Sequence, residues 1–216
     1  MSPSVFTLDN YHTLCDQLAA QDADLAAIIS QYGYPPYWSR PNTFESLVHI
    51  ILEQQVSLAS ALSALNKLKE KIQQITPSRV LLLTDEELKA CYFSRQKTAY
   101  IRYLAEALLS KQLDLHELVQ LSDDEVRTRL TALKGIGNWT VDIYLLMILH
   151  RTNIFPVGDL AIINAVKKLK HLPVATPKEE ILVLANAWQP YRSIAAMLLW
   201  HFYLSKPASN PKKQML

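Results

Sequence analysis

Two short segments combine residue types and spacings that could do chemistry. In Leu133-Lys134-Gly135-Ile136-Gly137, two glycines flank one apolar residue, so the chain can reverse within a few positions. Ile136 is placed to turn inward and anchor the reversal, while the amides around Gly137 point outward at the start of a following helix. Outward amides at the positive end of a helix dipole form an anion site. With no Cβ on Gly135 or Gly137 a phosphate can come close, Lys134 adds a charge, and Thr140 stands in the next turn as a further contact. The second segment, Ile154-Phe155-Pro156-Val157-Gly158-Asp159, is a constrained loop that delivers a carboxylate to a helix start. An anion held beside a sugar stabilises the positive charge that develops when an N-glycosidic bond breaks, and can orient or deprotonate water. Taken singly, the hairpin is a plain helical corner and Asp159 is an N-cap. Their succession, one helix and one loop apart, points to chemistry.

Glycine usage marks the same region. Only four glycines occur, against a usual share of roughly 7%. Three of them, Gly135, Gly137 and Gly158, fall in this window, where the backbone has least alternative.

The elements that must position these groups are helical. Apolar residues recur at three- and four-residue spacing, predicting helices near 9–20, 22–31, 43–54, 56–74, 77–82, 85–91, 95–110, 114–120, 123–132, 139–150, 159–170, 177–187 and 190–204. Thr84-x-x-Glu87, Asp114-x-x-Glu117, Ser122-x-x-Glu125 and Thr176-x-x-Glu179 read as capping boxes, and Asn138 as the cap of the helix after the hairpin. Pro77 and Pro177 fit first-turn positions. No alternating strand pattern occurs, so the predicted fold is all-α. Pro35-Pro36 with Pro41, and the loop from Ile154 to Gly158, mark breaks. They predict a central subdomain of about 42–155 that holds a helix–hairpin–helix at 123–150. A second subdomain is assembled from 1–41 and 156–205, and a frayed tail follows at 206–216.

Composition narrows the class. The 216 residues are 50% hydrophobic and 19% charged, a globular balance. No apolar run reaches the roughly 20 residues of a spanning helix, and the N-terminus has no signal-peptide pattern. Cys15 and Cys91 lie far apart with no CxxC, which argues for a reducing compartment and against zinc or iron–sulfur sites. His49, His150 and His201 show no metal-ligand spacing and read as structural, and Arg192 reads as fixing helix packing through a carboxylate. A net charge of +2 requires that any grip on nucleic acid come largely from oriented backbone dipoles.

The LKGIGNWT hairpin followed by a Pro–Gly–Asp loop resembles the helix–hairpin–helix–Gly/Pro–Asp DNA glycosylases, and the likeness runs over roughly residues 40 to 204. Ile51-Leu52-Glu53-Gln54-Gln55-Val56-Ser57-Leu58 is similar to the family's QQ(V/I)S segment. Ser94-Arg95-Gln96-Lys97-Thr98-Ala99-Tyr100-Ile101 is similar to its S.QKA..I stretch. Trp188-Gln189-Pro190-Tyr191-Arg192-Ser193, continuing to Trp200, is similar to a segment of the 3-methyladenine DNA glycosylase II branch. The resemblance implies two helical subdomains flanking a DNA-binding cleft. It implies Asp159 as the catalytic carboxylate, Lys134, Gly135, Gly137 and Thr140 as DNA-backbone contacts, and Trp139 and Trp200 as aromatic walls of the base pocket. Because a duplex base must be flipped out to be reached, a side chain should fill the gap. Gln55 is the first choice for that wedge and Gln54 the second. Strand-cleaving relatives carry a lysine where this chain has Trp139, so the resemblance implies hydrolysis alone, leaving an abasic site. Longer members of the branch have an N-terminal β-rich domain, and the short helical segment here reads as a compact form. Tyr34, Tyr37 and Trp38 are candidates to replace pocket residues from that domain, or are a packed aromatic cluster.

The expected activity is therefore a monofunctional glycosylase of alkylated purines in base excision repair, acting as a monomer on double-stranded DNA inside the cell, in cytoplasm, nucleoid or nucleus. No cofactor or metal is required, although a structural monovalent cation can sit at the hairpin. A glycosylase for deaminated or mismatched bases and a non-enzymatic helix–hairpin–helix DNA-binding module are the competing readings. The choice among 3-methyladenine, 7-methylguanine, ethenoadenine and hypoxanthine stays open. Dipole-led binding predicts a shallow dependence of duplex affinity on salt. A log–log salt titration implying more than about six displaced counterions would contradict it.

Overall fold

Single side chains set most helix ends in this protein. The computed structural model describes residues 4–205, and the expected frayed tail at 206–216 lies outside the described residues. The helices are α1 (Leu8–Gln21), α2 (Ala23–Tyr32), α3 (Phe44–Glu53), α4 (Leu58–Ile72), α5 (Pro77–Leu81), α6 (Asp85–Ala90) and α7 (Arg95–Leu109). They continue with α8 (Leu115–Leu118), α9 (Asp123–Thr131), α10 (Asn138–Met147), α11 (Leu160–Leu169), α12 (Lys178–Ala185) and α13 (Arg192–Leu204), and a 3-10 turn at Asn186–Trp188 precedes α13. Among the described residues there is no strand, only an isolated antiparallel bridge between Val5 and Arg151. The fold is all-α, as the periodicity predicts.

Thr84 and Ser122 form complete capping boxes. Each hydroxyl accepts the amide of the glutamate three residues on (3.2 and 3.3 Å), and each glutamate accepts the cap residue's amide (2.9 Å in both). The other two expected boxes do not close. Asp114 accepts the His116 amide at 2.8 Å without a reciprocal bond, and Pro177, extended at φ −72° and ψ 159°, itself occupies the N-cap of α12. Asn138 is also displaced from its expected role: it is the first helical residue of α10, and Gly137 is the N-cap. The Asn138 side chain instead accepts a hydrogen bond from Arg127 at 3.2 Å.

The described chain divides into two units, residues 39–149 and residues 4–38 with 150–205. In the first, α3 buries Leu47, Val48, Ile50, Ile51 and Leu52, and α10 buries Val141, Ile143, Tyr144, Leu145 and Leu146. The buried Tyr144 hydroxyl donates to Asn42 Oδ1 at 2.8 Å, and Asn42 Nδ2 donates to the Leu115 carbonyl at 2.8 Å, so this core also orders the segment before α3. In the second unit α13 is buried from Ser193 through Trp200, an apolar helix wrapped by α1, α2 and α11.

The breaks fall at 38/39 and 149/150 rather than at 41/42 and 155/156. His150, three residues beyond the end of α10, adopts a left-handed φ of 52°, and its carbonyl accepts the Phe6 amide at 2.9 Å. The Thr152 amide donates to the Ser4 carbonyl at 3.1 Å, and Ser193 Oγ donates to the Arg151 carbonyl at 2.6 Å. Residues 150–154 are thereby built into the second unit before the loop to Asp159 begins.

One charged group secures that second unit. Asp22 caps α2 and also receives Lys170 Nζ at 2.8 Å and the indole N–H of the buried Trp188 at 2.8 Å, and Lys170 reaches Asp24 at 2.8 Å. Burial pushes the Asp22 carboxyl up, but the bonds from Lys170 and Trp188 outweigh it and hold the group below its usual value. A depressed carboxylate pKa contributes stability that is complete above the unfolded value of about 4 and is lost as pH falls through the lower folded value. Asn serves equally well as an N-cap, so Asp22→Asn isolates the charge. In thermal denaturation this variant is expected to melt below the wild type at pH 7, with the gap closing as pH falls below about 4.

Candidate active site

The hairpin is built against α7. Gly135 has a φ of +93°, and a Cβ there would run into the Tyr100 ring. The packed ring and the left-handed backbone together demand glycine at this point. Gly137 is different. It is exposed, its φ of −100° suits any residue, and a Cβ would meet nothing within 4 Å. It is also an N-cap without a side-chain acceptor, so the first amides of α10 receive no cap from it. Ile136 is buried and its amide donates to the Leu133 carbonyl at 3.1 Å, the inward anchor that the spacing implies. Lys134 is exposed, with its ammonium 5.1 Å above the Tyr103 ring.

Thr140 and Gln54 depart from their expected roles. Thr140 is only 1% exposed and its hydroxyl accepts from Gln54 Nε2 at 2.9 Å, so its side chain belongs to the interior and not to a surface against which a DNA strand could lie. The same Gln54 amide donates to the Gly135 carbonyl at 2.9 Å. Its reach is spent inside the fold, which removes Gln54 as a wedge candidate. Gln55 is exposed, at a left-handed φ of 59° that few non-glycine residues adopt.

The residues before Gln54 are also pinned. Arg40 makes a bidentate pair with the buried Glu53 at 2.6 and 3.0 Å, and Lys97 Nζ donates to the Leu52 carbonyl at 2.5 Å. His49 Nε2 lies 3.4 Å from Glu53. Burial, then the Arg40 charge, lowers the His49 pKa, so the imidazole is neutral near pH 7 and this contact is no ion pair.

Asp159 is the N-cap of α11. Its Oδ1 accepts the amides of Ala161 (2.9 Å) and Ile162 (3.1 Å) and the indole N–H of Trp200 (3.2 Å). The loop before it is tightened by the Asp159 amide donating to the Pro156 carbonyl at 2.9 Å, with Ile154, Phe155 and Pro156 buried beneath. Ile162, Ile163, Ala165 and Val166 bury the root of α11, while Leu160 stays exposed. Trp200 is 8% exposed and meets Trp38 edge-on, with centroids 6.4 Å apart at 86°. Trp38, Trp200 and Asp159 thus form one chain of contacts, a link that one-dimensional spacing does not reveal. Trp139 stands half-buried in the first turn of α10, in the other unit.

The rest of the aromatic cluster is packing. Tyr34 stacks on His12 at 4.1 Å and donates to Asp16, while Tyr37 lies among Phe6, Tyr11 and His150. Arg192 is held by Asn153, donating to its Oδ1 at 2.8 Å and to its carbonyl at 3.0 Å. Among the described residues no group of three or more His, Cys, Asp or Glu is placed to hold a metal ion, and no helix is long and apolar enough to cross a membrane.

Comparison with known proteins adds independent findings. The profile described as "HhH-GPD superfamily base excision DNA repair protein" matches residues 48–190. The chain is 31% identical over 180 residues to DNA-3-methyladenine glycosylase 1 of Schizosaccharomyces pombe, covering 82% of this chain and 79% of that protein. The structure of a 3-methyladenine DNA glycosylase (Mag1) of Schizosaccharomyces pombe in complex with abasic DNA matches with a TM-score of 0.80 at 29% identity, over 87% of this chain and 95% of that one. A DNA-3-methyladenine glycosidase of Bacillus halodurans matches with a TM-score of 0.73 at 30% identity, over 89% of each.

The two hairpin glycines are expected to fail differently. Gly135→Ala places a methyl group in the Tyr100 ring on a left-handed backbone and should cost about 2 kcal/mol or more in denaturant unfolding. Gly137→Ala should leave stability within about 0.5 kcal/mol of wild type, because the added methyl enters open space. If a phosphate docks on these amides, duplex-binding titrations of Gly137→Ala will nevertheless show weakened affinity.

Proposed function

The chain belongs to the HhH-GPD superfamily of base excision DNA repair proteins, and from that premise we propose that it is a monofunctional DNA glycosylase. Its substrates are alkylated purines of the 3-methyladenine and 7-methylguanine type in duplex DNA, and its product is an abasic site. The observation that carries this reading is the Asp159 carboxylate, held through Oδ1 by two helix amides and the Trp200 indole. A carboxylate oriented before substrate arrives needs no reorganisation as positive charge develops on the sugar, which is where electrostatic preorganisation lowers a barrier most.

Alkylation at N3 or N7 makes the purine cationic, so the base departs without first being protonated. Asp159 stabilises the oxocarbenium-like sugar and orients the attacking water. Trp200 serves as an electron-rich wall for the cationic base, at about 0.5–2 kcal/mol. The indole edge of Trp200 donates to Asp159, so this residue also orients the carboxylate. Lys134 and the amides of Gly135 and Gly137 grip the backbone, and Gln55 fills the stack left by the flipped nucleotide. Trp139 stands where strand-cleaving relatives carry a lysine, which supports hydrolysis without strand scission.

A monovalent cation at the hairpin is compatible with this reading, and no step depends on it. The protein acts as a monomer on DNA within the cell.

The decisive variant is Asp159→Asn. Asparagine keeps the cap acceptor, so the melting temperature should hold. Release of 7-methylguanine from a methylated duplex should fall by about a hundredfold or more, with duplex affinity retained. Near-normal release would remove Asp159 from the mechanism. Strand breaks from the wild type without added base or heat would refute hydrolysis alone.

A further inference from the structure

Three successive residues at the end of α3 are tied to different parts of the first unit. The Leu52 carbonyl takes Lys97, the Glu53 carboxylate takes Arg40, and the Gln54 amide donates to both the Gly135 carbonyl and the Thr140 hydroxyl. The next residue, Gln55, is exposed on a left-handed backbone. A non-glycine residue persists there only when its surroundings over-determine the conformation.

The Gln54 contacts bridge 81 and 86 residues of sequence, both at 2.9 Å. Their far side is rigid. Gly135 cannot retreat, because the Tyr100 ring lies where its Cβ would be, and Thr140 is buried within α10. The side chain adjoining the exposed tip is thereby fastened directly to the hairpin. We propose that Gln54 is a positioning residue that locks the Gln55 tip to the Gly135–Thr140 hairpin, so that backbone grip and base-stack filling act as one rigid piece. This rests on the glycosylase reading for what the two parts do, but not for the tie itself.

Gln54→Met keeps the length of the side chain and removes both N–H donors. Its effect is read by single-turnover release of 7-methylguanine, either paired with cytosine in a duplex or unpaired in a bulge, where extrusion costs less. Release from the paired site is expected to slow by about tenfold and from the bulge by less than about threefold. In a Gln55→Ala background, where the tip is already lost, adding Gln54→Met should cost less than about threefold at the paired site. Equal losses on both substrates, or an undiminished loss in the Gln55→Ala background, would overturn the proposal.

Hydrogen exchange of the protein without DNA provides a readout that does not depend on activity. In Gln54→Met, exchange should accelerate together at residues 54–57 and 134–138, and acceleration at neither segment overturns the tie. Should the wild type release base from neither substrate, the functional reading fails, and exchange alone decides the tie. Should Gln54→Met not fold, Thr140→Val removes one of the two acceptors at nearly constant shape. It is expected to reproduce the coupled exchange and the paired-site loss at smaller size, and the absence of both would refute the proposal.

Discussion

An α-helix leaves its first amides and last carbonyls without partners inside the helix, and a fold made of short helices is dominated by how those ends are settled. In this protein several of the residues that settle them are also the ones to which a role is proposed. Asp159 caps α11, Asp22 caps α2, Gln54 closes α3, and Gly137 starts α10. The same electrostatics that would otherwise destabilise a buried helix end makes each of these positions able to hold or present charge.

α10 and α11 settle the problem in opposite ways. α11 is closed by its own carboxylate, whose Oδ1 takes two amides and an indole N–H. α10 begins at a glycine that offers no acceptor and has open space where a side chain would stand. One end therefore presents a fixed negative group, and the other begins without a side-chain cap. The proposed reaction uses both, an anion for the sugar and a cradle for the phosphate. Neither requires a strongly basic surface, which fits a net charge of +2.

The helices themselves were legible from local rules. Apolar periodicity and the reciprocal boxes at Thr84 and Ser122 depend only on neighbours a few residues away. The Thr176 box failed because Pro177 took the cap, and the Asn138 cap failed because Gly137 preceded it with a compatible extended conformation. Both misses are one-residue competitions between adequate caps, which local propensity ranks poorly.

The candidate site divides along the same line. Asp159, the LKGIGNWT hairpin and the exposed Gln55 were readable as motifs, since residue type and order suffice to mark a cap, a tight reversal and a polar tip. Gln54 and Gln55 were not separable, because adjacent glutamines at a helix end look alike until one finds acceptors more than eighty residues away. The reason for glycine at 135, the interior fate of Thr140, and the contact of Trp38 with Trp200 likewise depend on which side chains from distant segments arrive at the same place. The sequence by itself determined the class of fold and the chemistry of its groups, because hydrogen-bonding capacity and helical period are local properties. Only the tertiary structure decided which of those groups face inward and which remain presented, because burial and long-range hydrogen bonds exist only once the helices have packed.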